Sequence, residues 1–420
     1  MGKNNKLTKT EKSWILYDVG NSAFTMLACS LVPIWFKSLA IGDGPGQITS
    51  DQATAYWALA MSIVTLIVAL LGPALGAFTD TKGRKKIFFT TALAIGVIGC
   101  FIGGFIRGWL LFMIVLVISK VAYSASQVFY DSMLNDVTTE ERMDEVSSYG
   151  YAWGYIGSCI PFAIALGAYV LGPDMLGMIS DSLSRIIGFG VTAAWWFIVT
   201  IPLLKNYDQI HYVDRERVVV GEVFKGIGHT VVKIIKYDKE VLYFLIAFFM
   251  YIDGVGTIID NCINIGTDLG LNTVGQVVTL LLTQVVAFVF SLIFAVFSRK
   301  YKTVTLIKTC IVGYFFVCLY DLTLHSLVGF AILAFGIGMF QGSIQSLSRS
   351  YFSKIIPPNN SGEYFGLYDI FCKGSSFLGS AVLAGVKLAG GTINIAVASL
   401  AVFFAVGFIF LSMSEKAKAE

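Results

Sequence analysis

The chain has 420 residues, of which 56% are hydrophobic and only 14% charged, and its mean hydropathy is +0.75. Ordinary soluble domains carry roughly 25% charged residues, so the composition excludes that class and points to a polytopic integral membrane protein, expected from the helical spans below to be all-α. A net charge of +3 implies no nucleic-acid partner, because the distribution of charge rather than its sum carries the information.

Lys3, Lys6, Lys9 and Lys12 precede an apolar stretch that holds Asp18 and Asn21. At about 27 residues it is unlike a cleavable signal, and the first helix is expected to be retained. Apolar runs long enough to cross a bilayer place six spans near 14–40, 53–78, 87–107, 109–134, 147–171 and 183–204. A polar stretch follows, and six more spans lie near 241–265, 274–298, 304–325, 327–352, 363–388 and 393–413. The expected architecture is twelve transmembrane helices in two pseudo-symmetric six-helix bundles, with residues 1–204 and 241–420 as the bundles and 205–240 as a cytoplasmic linker.

Between the second and third spans the chain reads Gly72-x-x-x-Gly76-x-x-x-Asp80-x-x-Gly83-Arg84. A spacing of four puts Gly72 and Gly76 on one helical face, where missing side chains let another helix approach. Asp80 marks the water boundary. Lys82, Arg84, Lys85 and Lys86 crowd the loop, and such basic loops stay in the cytoplasm. The pattern resembles the second-to-third-helix loop of a major facilitator transporter, in which these positions serve gating.

Most of the 30 Lys and Arg residues fall on the side of that loop, together with both termini, which orients the chain with its termini in the cytoplasm. The linker carries Glu222, Lys225, His229, Lys233 and Lys236 at spacings of three and four, with aliphatic residues elsewhere on the turn. This predicts an amphipathic helix lying on the inner leaflet. The seven cysteines fall inside apolar segments without a Cys-x-x-Cys pair and the three histidines do not cluster, so neither a metal site nor a cofactor is expected.

An offset of 218 residues relates the halves: it carries Asp80 to Ser298 in a degraded copy of the loop, and Gln127 and Asp131 to Gln345 and Arg349. Asp131 and Arg349 are thereby expected to pair across the two halves near the inner ends of their helices and to close an inner gate. The alternative is that each only holds its own helix end, Arg349 through Glu363.

Ionisable residues inside a bilayer are costly and mark functional candidates. From the helical rise, Lys120, Asp253 and Lys373 each lie roughly 15–18 Å from a helix end, near the midplane. Two cations and an acid at one depth suit a substrate with a carboxylate and an amine. Asn21, Gln127, Tyr130, Gln284, Gln341, Gln345 and Tyr368 supply hydrogen-bonding groups around them, and Asp369 shares a helical face with Lys373. Asp18, Asp253, Asp260 and Asp369 are the candidate proton carriers. No phosphate-binding Gly-x-x-x-x-Gly-Lys-Ser/Thr loop occurs, which argues against an ATP-driven pump.

Stretches 14–24 (with Tyr17, Asp18 and Asn21), 129–136, 154–158, 251–259, 281–284 and 341–352 resemble the vacuole-effluxer-like family of the major facilitator superfamily, which includes the fungal autophagy-related vacuolar amino-acid exporter and bacterial members. The resemblance implies a twelve-helix carrier rather than an enzyme, with amino-acid efflux as the best-known activity. Val19 and Gly20 depart from the family-like first motif, and short loops favour a bacterial plasma membrane over a vacuole. The expectation is a monomeric, proton-coupled secondary transporter of a small zwitterion, with a sugar or glycoside–cation symporter and a drug exporter as alternatives. A transporter-like receptor or lipid-handling protein is the alternative outside transport.

Overall fold

In lipid a backbone satisfies its polar groups only within its own helix or in a closed barrel, and the described residues form helices with no strand among them. The structure is a computed structural model that describes residues 6–42, 44, 46–173, 175–214, 220–268, 273–374 and 377–418. The side chains of Glu222, Asp260 and Cys262, and Lys3 as a whole, lie outside the described part.

The first half holds α1 (Lys9–Ala40), α2 (Ser50–Thr79), α3 (Arg84–Gly103), α4 (Trp109–Ser132), the single turn α5 (Leu134–Val137), α6 (Met143–Val170) and α7 (Asp181–Asn206). The linker contributes α8 (Val220–Lys236). The second half holds α9 (Lys239–Asp268), α10 (Thr273–Phe297), α11 (Thr303–Tyr320), α12 (Leu327–Ile355), α13 (Ser361–Lys373), α14 (Phe377–Leu388), α15 (Ile393–Ser399) and α16 (Ala401–Ala417). Local sequence sets several starts: Thr8 with Glu11 and Thr49 with Gln52 close reciprocal capping boxes on α1 and α2. Gly83 opens α3 at φ 72°, a left-handed conformation that a side chain would strain.

Among the described residues ten helices are long and apolar enough to cross a membrane, with Leu281–Phe297 as a shorter apolar segment. Of the runs expected from hydropathy, the one at 363–388 is not matched by a single long helix, whereas α10 (Thr273–Phe297) covers the one at 274–298. The expected span 363–388 falls on two elements, α13, which ends at Lys373 with Gly374 as its cap, and α14, described from Phe377. The Asp253 carboxylate on α9 accepts the Leu378 and Gly379 amides at 3.1 and 2.6 Å, supplying the N-terminal hydrogen bonds that the second helix needs.

Within the first half α1 packs on α6 and α7, and within the second α9 packs on α16. Across the halves α2 meets α13, and α6 meets α10 and α12, so the functional side chains sit on a helical seam rather than on loops. Asp80 at the end of α2, Asp136 in α5 and Arg299 in the loop after α10 all lie at one end of the seam, here called the basic end.

Candidate functional site

Arg349 on α12 is buried in the seam, and burying a charge demands partners. Its Nε donates to Ser147 Oγ at 2.9 Å, Nη1 to Asp131 Oδ1 at 3.0 Å, and Nη2 to both Asp18 Oδ2 and the Ser147 carbonyl at 3.1 Å. The Trp14, Tyr151 and Tyr130 ring centroids lie 4.5, 4.6 and 5.4 Å from the guanidinium carbon, giving cation–π contacts. Gly150 leaves the room: a Cβ there would strike the Asp18 carboxylate. Asn21 Nδ2 donates to Asp18 Oδ1 at 3.2 Å and completes the group. Arg349 therefore joins α1, α4, α6 and α12, and its pairing is with Asp131 and Asp18 rather than Glu363.

One and two turns from Asp131 on α4 stand Gln127 and Tyr123. Tyr123 Oη accepts from Thr25 Oγ1 at 2.7 Å and from Gln127 Nε2 at 3.3 Å. From the other half the Lys373 ammonium lies 5.7 Å from the Tyr123 ring centroid and 3.9 Å from Asp369 Oδ1. Asp131 lies within electrostatic range of both Asp369 and Lys373, so the Arg349 and Lys373 groups form one charged cluster. Two acceptor atoms in it, Gln127 Oε1 and Asp369 Oδ2, are buried with no hydrogen-bond partner among the described residues.

The remaining sequence candidates divide. Gln341 is buried on α12, and Gln345 is half-buried one turn away on the same helix. Tyr368 stacks between Phe248 and Phe352 at 4.1 and 4.8 Å, while Tyr130 donates to the Trp14 carbonyl at 3.1 Å, so both are packed into the helices. Lys120 turns towards α2, its Nζ 3.3 Å from Met61 Sδ. Asp253 is fully buried against the start of α14, and Gln284 is half-buried on α10.

At the basic end Asp80 Oδ1 and Oδ2 accept the Gly362 and Glu363 amides at 2.7 and 2.9 Å, capping α13 from the opposite half. Burial pushes the Asp80 carboxyl up to about 7, although the Lys85 charge and these two amides oppose the rise. Lys85, fully buried, donates to Ser361 Oγ at 2.9 Å across the seam and to Asp136 Oδ2 at 3.4 Å within its own half. Asp136 also accepts from Tyr207 Oη at 2.6 Å and the His211 amide at 2.8 Å, tying the linker to this end. Gly76 and Gly362 bring α2 and α13 into backbone contact, since a Cβ on either would overlap the other's carbonyl. Gly72 faces Gly366 one turn on. Arg84, half-buried, starts α3 beside this contact.

On the other flank Arg299 Nη2 donates to Glu145 Oε1 at 2.6 Å, and the two Asp144 oxygens take the Thr303 and Ser350 hydroxyls at 2.6 Å and the Lys354 ammonium at 2.7 Å. The sequence singled out none of Asp136, Asp144, Ser147, Tyr123, Tyr151 and Gly362 as site residues, and it placed Lys85 only in the basic loop. A signal existed for Gly362, because Gly362 and Gly366 repeat the spacing of Gly72 and Gly76.

Two helical halves meeting along a seam of buried charge define a major facilitator transporter. Among solved structures the chain is similar to FucP, a major facilitator superfamily transporter in the outward conformation, with TM-score 0.73 and 13% identity over 97% of each chain. It is also similar to the human organic anion transporter MFSD10, with TM-score 0.72 and 12% identity over 97% of this chain and 100% of that one. Likeness at such identity establishes the fold alone. A family model described as vacuole effluxer Atg22 like matches residues 7–141 and 135–420, and the chain belongs to that family. An uncharacterized MFS-type transporter, YxiO of Bacillus subtilis, is 38% identical over 97% of this chain and 95% of its own length. Autophagy-related protein 22-1 of Penicillium rubens is 28% identical over 61% of this chain but 46% of its own length, so the chain spans about half of that fungal relative. The protein is a membrane transporter and not an enzyme.

Proposed function

We propose that this transporter moves a small solute bearing both an ammonium and a carboxylate, an amino acid or a close relative, in exchange for or together with a proton. The observation that carries the reading is the pair of orphaned acceptors, Gln127 Oε1 and Asp369 Oδ2, beside the half-exposed Lys373. A buried acceptor without a donor costs free energy, and a substrate ammonium would supply the missing donors while Lys373 meets the carboxylate. Charge balance supports coupling. Asp18, Asp131 and Asp369 face Arg349 and Lys373, leaving one negative charge in excess when all are ionised. A proton or a substrate ammonium can each neutralise it, and competition for that single vacancy would link their movements.

In this reading the twelve sequence spans cross a bacterial plasma membrane, with both termini and the basic end in the cytoplasm. The described polar contacts between halves gather at the basic end, which in this reading is the closed end. Alternating access then requires the Asp131–Arg349 pair and the Asp80–α13 cap to break when the other end closes.

Proteoliposomes loaded with unlabelled solute and assayed by counterflow test the substrate class. Labelled amino acids should accumulate, and Asp369→Asn and Lys373→Ala should lose most of that accumulation while folding normally. Counterflow of a disaccharide or a lipophilic dye instead, or full activity of both variants with amino acids, would overturn the reading.

A further inference from the structure

Helix α8 carries three different faces. Ile227, Val231 and Ile234, spaced by four and three, pack on the protein: Ile234 is 4% exposed, and Ile227 lies against the buried Ala74 and Ala77 of α2. At 3.6 residues per turn Lys225, His229 and Lys236 fall on the opposite side with Lys233 beside them, and all four are exposed. Val232 and Ile235 occupy the sector between, 46% and 50% exposed, and Tyr237 follows at the helix end at 79%. Among the described residues no carboxylate pairs with Lys225, Lys233 or Lys236.

A helix in water alone gains nothing from the lateral aliphatic sector. A helix buried under a protein partner would leave the lysines desolvated without counter-charges. A membrane interface satisfies both, because the aliphatic sector enters the acyl boundary while the lysines reach phosphate oxygens and Tyr237 sits at headgroup depth. We propose that α8 docks on the anionic phospholipid headgroups of the leaflet at the basic end. These lysines, without a carboxylate partner among the described residues, favour an anionic over a zwitterionic surface, each strengthening attachment roughly five-fold. The docked helix braces the back of α2, the same helix whose Gly72 and Gly76 face lies on α13. The proposal is independent of which solute is carried.

Native mass spectrometry of the full chain in a neutral detergent, offered equal phosphatidylglycerol and phosphatidylcholine, tests it. The wild type should retain phosphatidylglycerol in preference, and 0.5 M salt should reduce that preference by screening. A Lys225→Gln, Lys233→Gln, Lys236→Gln triple variant should lose at least ten-fold of it, whereas the corresponding triple Arg variant keeps it. Equal retention of both lipids by the wild type, or an undiminished preference in a folded triple Gln variant, overturns the proposal and leaves this face to a protein partner. Should the Gln variant fail to fold, the salt response of the wild type decides, with a salt-insensitive ratio counting against lipid docking.

Discussion

Arg349 Nη1 and Asp131 Oδ1 lie 3.0 Å apart although 218 residues separate them in the chain. The same interval carries Lys85 to Thr303 and Asp136 to Lys354, and both pairs are in contact, at 3.4 Å for Lys85–Asp136 and 3.0 Å for Lys354–Thr303. It also carries Glu145, the partner of Arg299, to Glu363, whose amide is held by Asp80. The two flanks of the basic end are thus equivalent positions with different chemistry. One flank joins the halves through a carboxylate on backbone amides, the other through acids on basic and hydroxyl side chains.

Arg349→Ala is expected to destabilise the protein by about 3–5 kcal/mol, because Asp18 and Asp131 are then left as buried acids without a counter-charge. Adding Asp131→Asn should recover part of that loss by removing one of them. Thermal melting in detergent reads both effects. A single variant as stable as wild type, or a double variant less stable than the single one, would show that Arg349 is not the charge that holds the cluster.

Gly362→Leu is expected to prevent closure of the basic end, since its side chain would overlap the Gly76 carbonyl and Thr79 Oγ1. In a background with the seven native cysteines replaced, a Ser132→Cys reporter should react with a hydrophilic maleimide at least ten-fold faster once Gly362 is enlarged. Ser132 is fully buried beside Ser361, whose hydroxyl donates to its carbonyl at 3.1 Å. An unchanged labelling rate in folded protein would mean that α2 and α13 part without opening this end.

Helical spans, half-to-half equivalence and the Asp131–Arg349 contact were legible because hydropathy and a constant offset survive in one sequence. Asp18 as a second acid on Arg349 was not, since Asp18 and Arg349 belong to different halves and no offset relates them. The interruption of the expected span 363–388 escaped hydropathy, because the polar stretch Lys373-Gly374-Ser375-Ser376 is short and apolar residues flank it on both sides. Lys85 was read as part of a basic loop that orients the chain, yet it is fully buried. Composition cannot separate a lysine that faces water from one that a neighbouring helix covers.

Asp253→Ala is expected to cost about 0.5–2 kcal/mol, the usual loss when a helix N-cap is removed, because its two oxygens hold the Leu378 and Gly379 amides. Asp253→Asn keeps one acceptor oxygen and should cost less. Comparing stability with transport in the two variants separates the cap from proton coupling. Loss of gradient-driven uptake in a fully stable Asp253→Asn protein would assign the residue to coupling, while a stable Asp253→Ala protein would dismiss the cap.

Asp80 gives the basic end a pH response whose sign follows from burial. The carboxyl stands at about 7 in the closed contact against 3.8 when free, so the closed state binds a proton more tightly than an open state with Asp80 in water. Closure is therefore most favoured below pH 4, weakens progressively as pH rises towards 7, and is flat above it. The groups around the carboxyl keep the direction: Lys85 and the Gly362 and Glu363 amides lower it, the Glu363 charge raises it, and desolvation exceeds the sum. The Ser132→Cys reporter should accordingly label slowly at pH 5.5 and faster at pH 7.5, after correction for the thiol's own ionisation using an exposed control cysteine. Asp80→Asn removes the titrating group and should flatten the profile while retaining one acceptor for the α13 amides. A profile that keeps its slope in Asp80→Asn, or one that runs the other way in the wild type, would place the titrating group elsewhere.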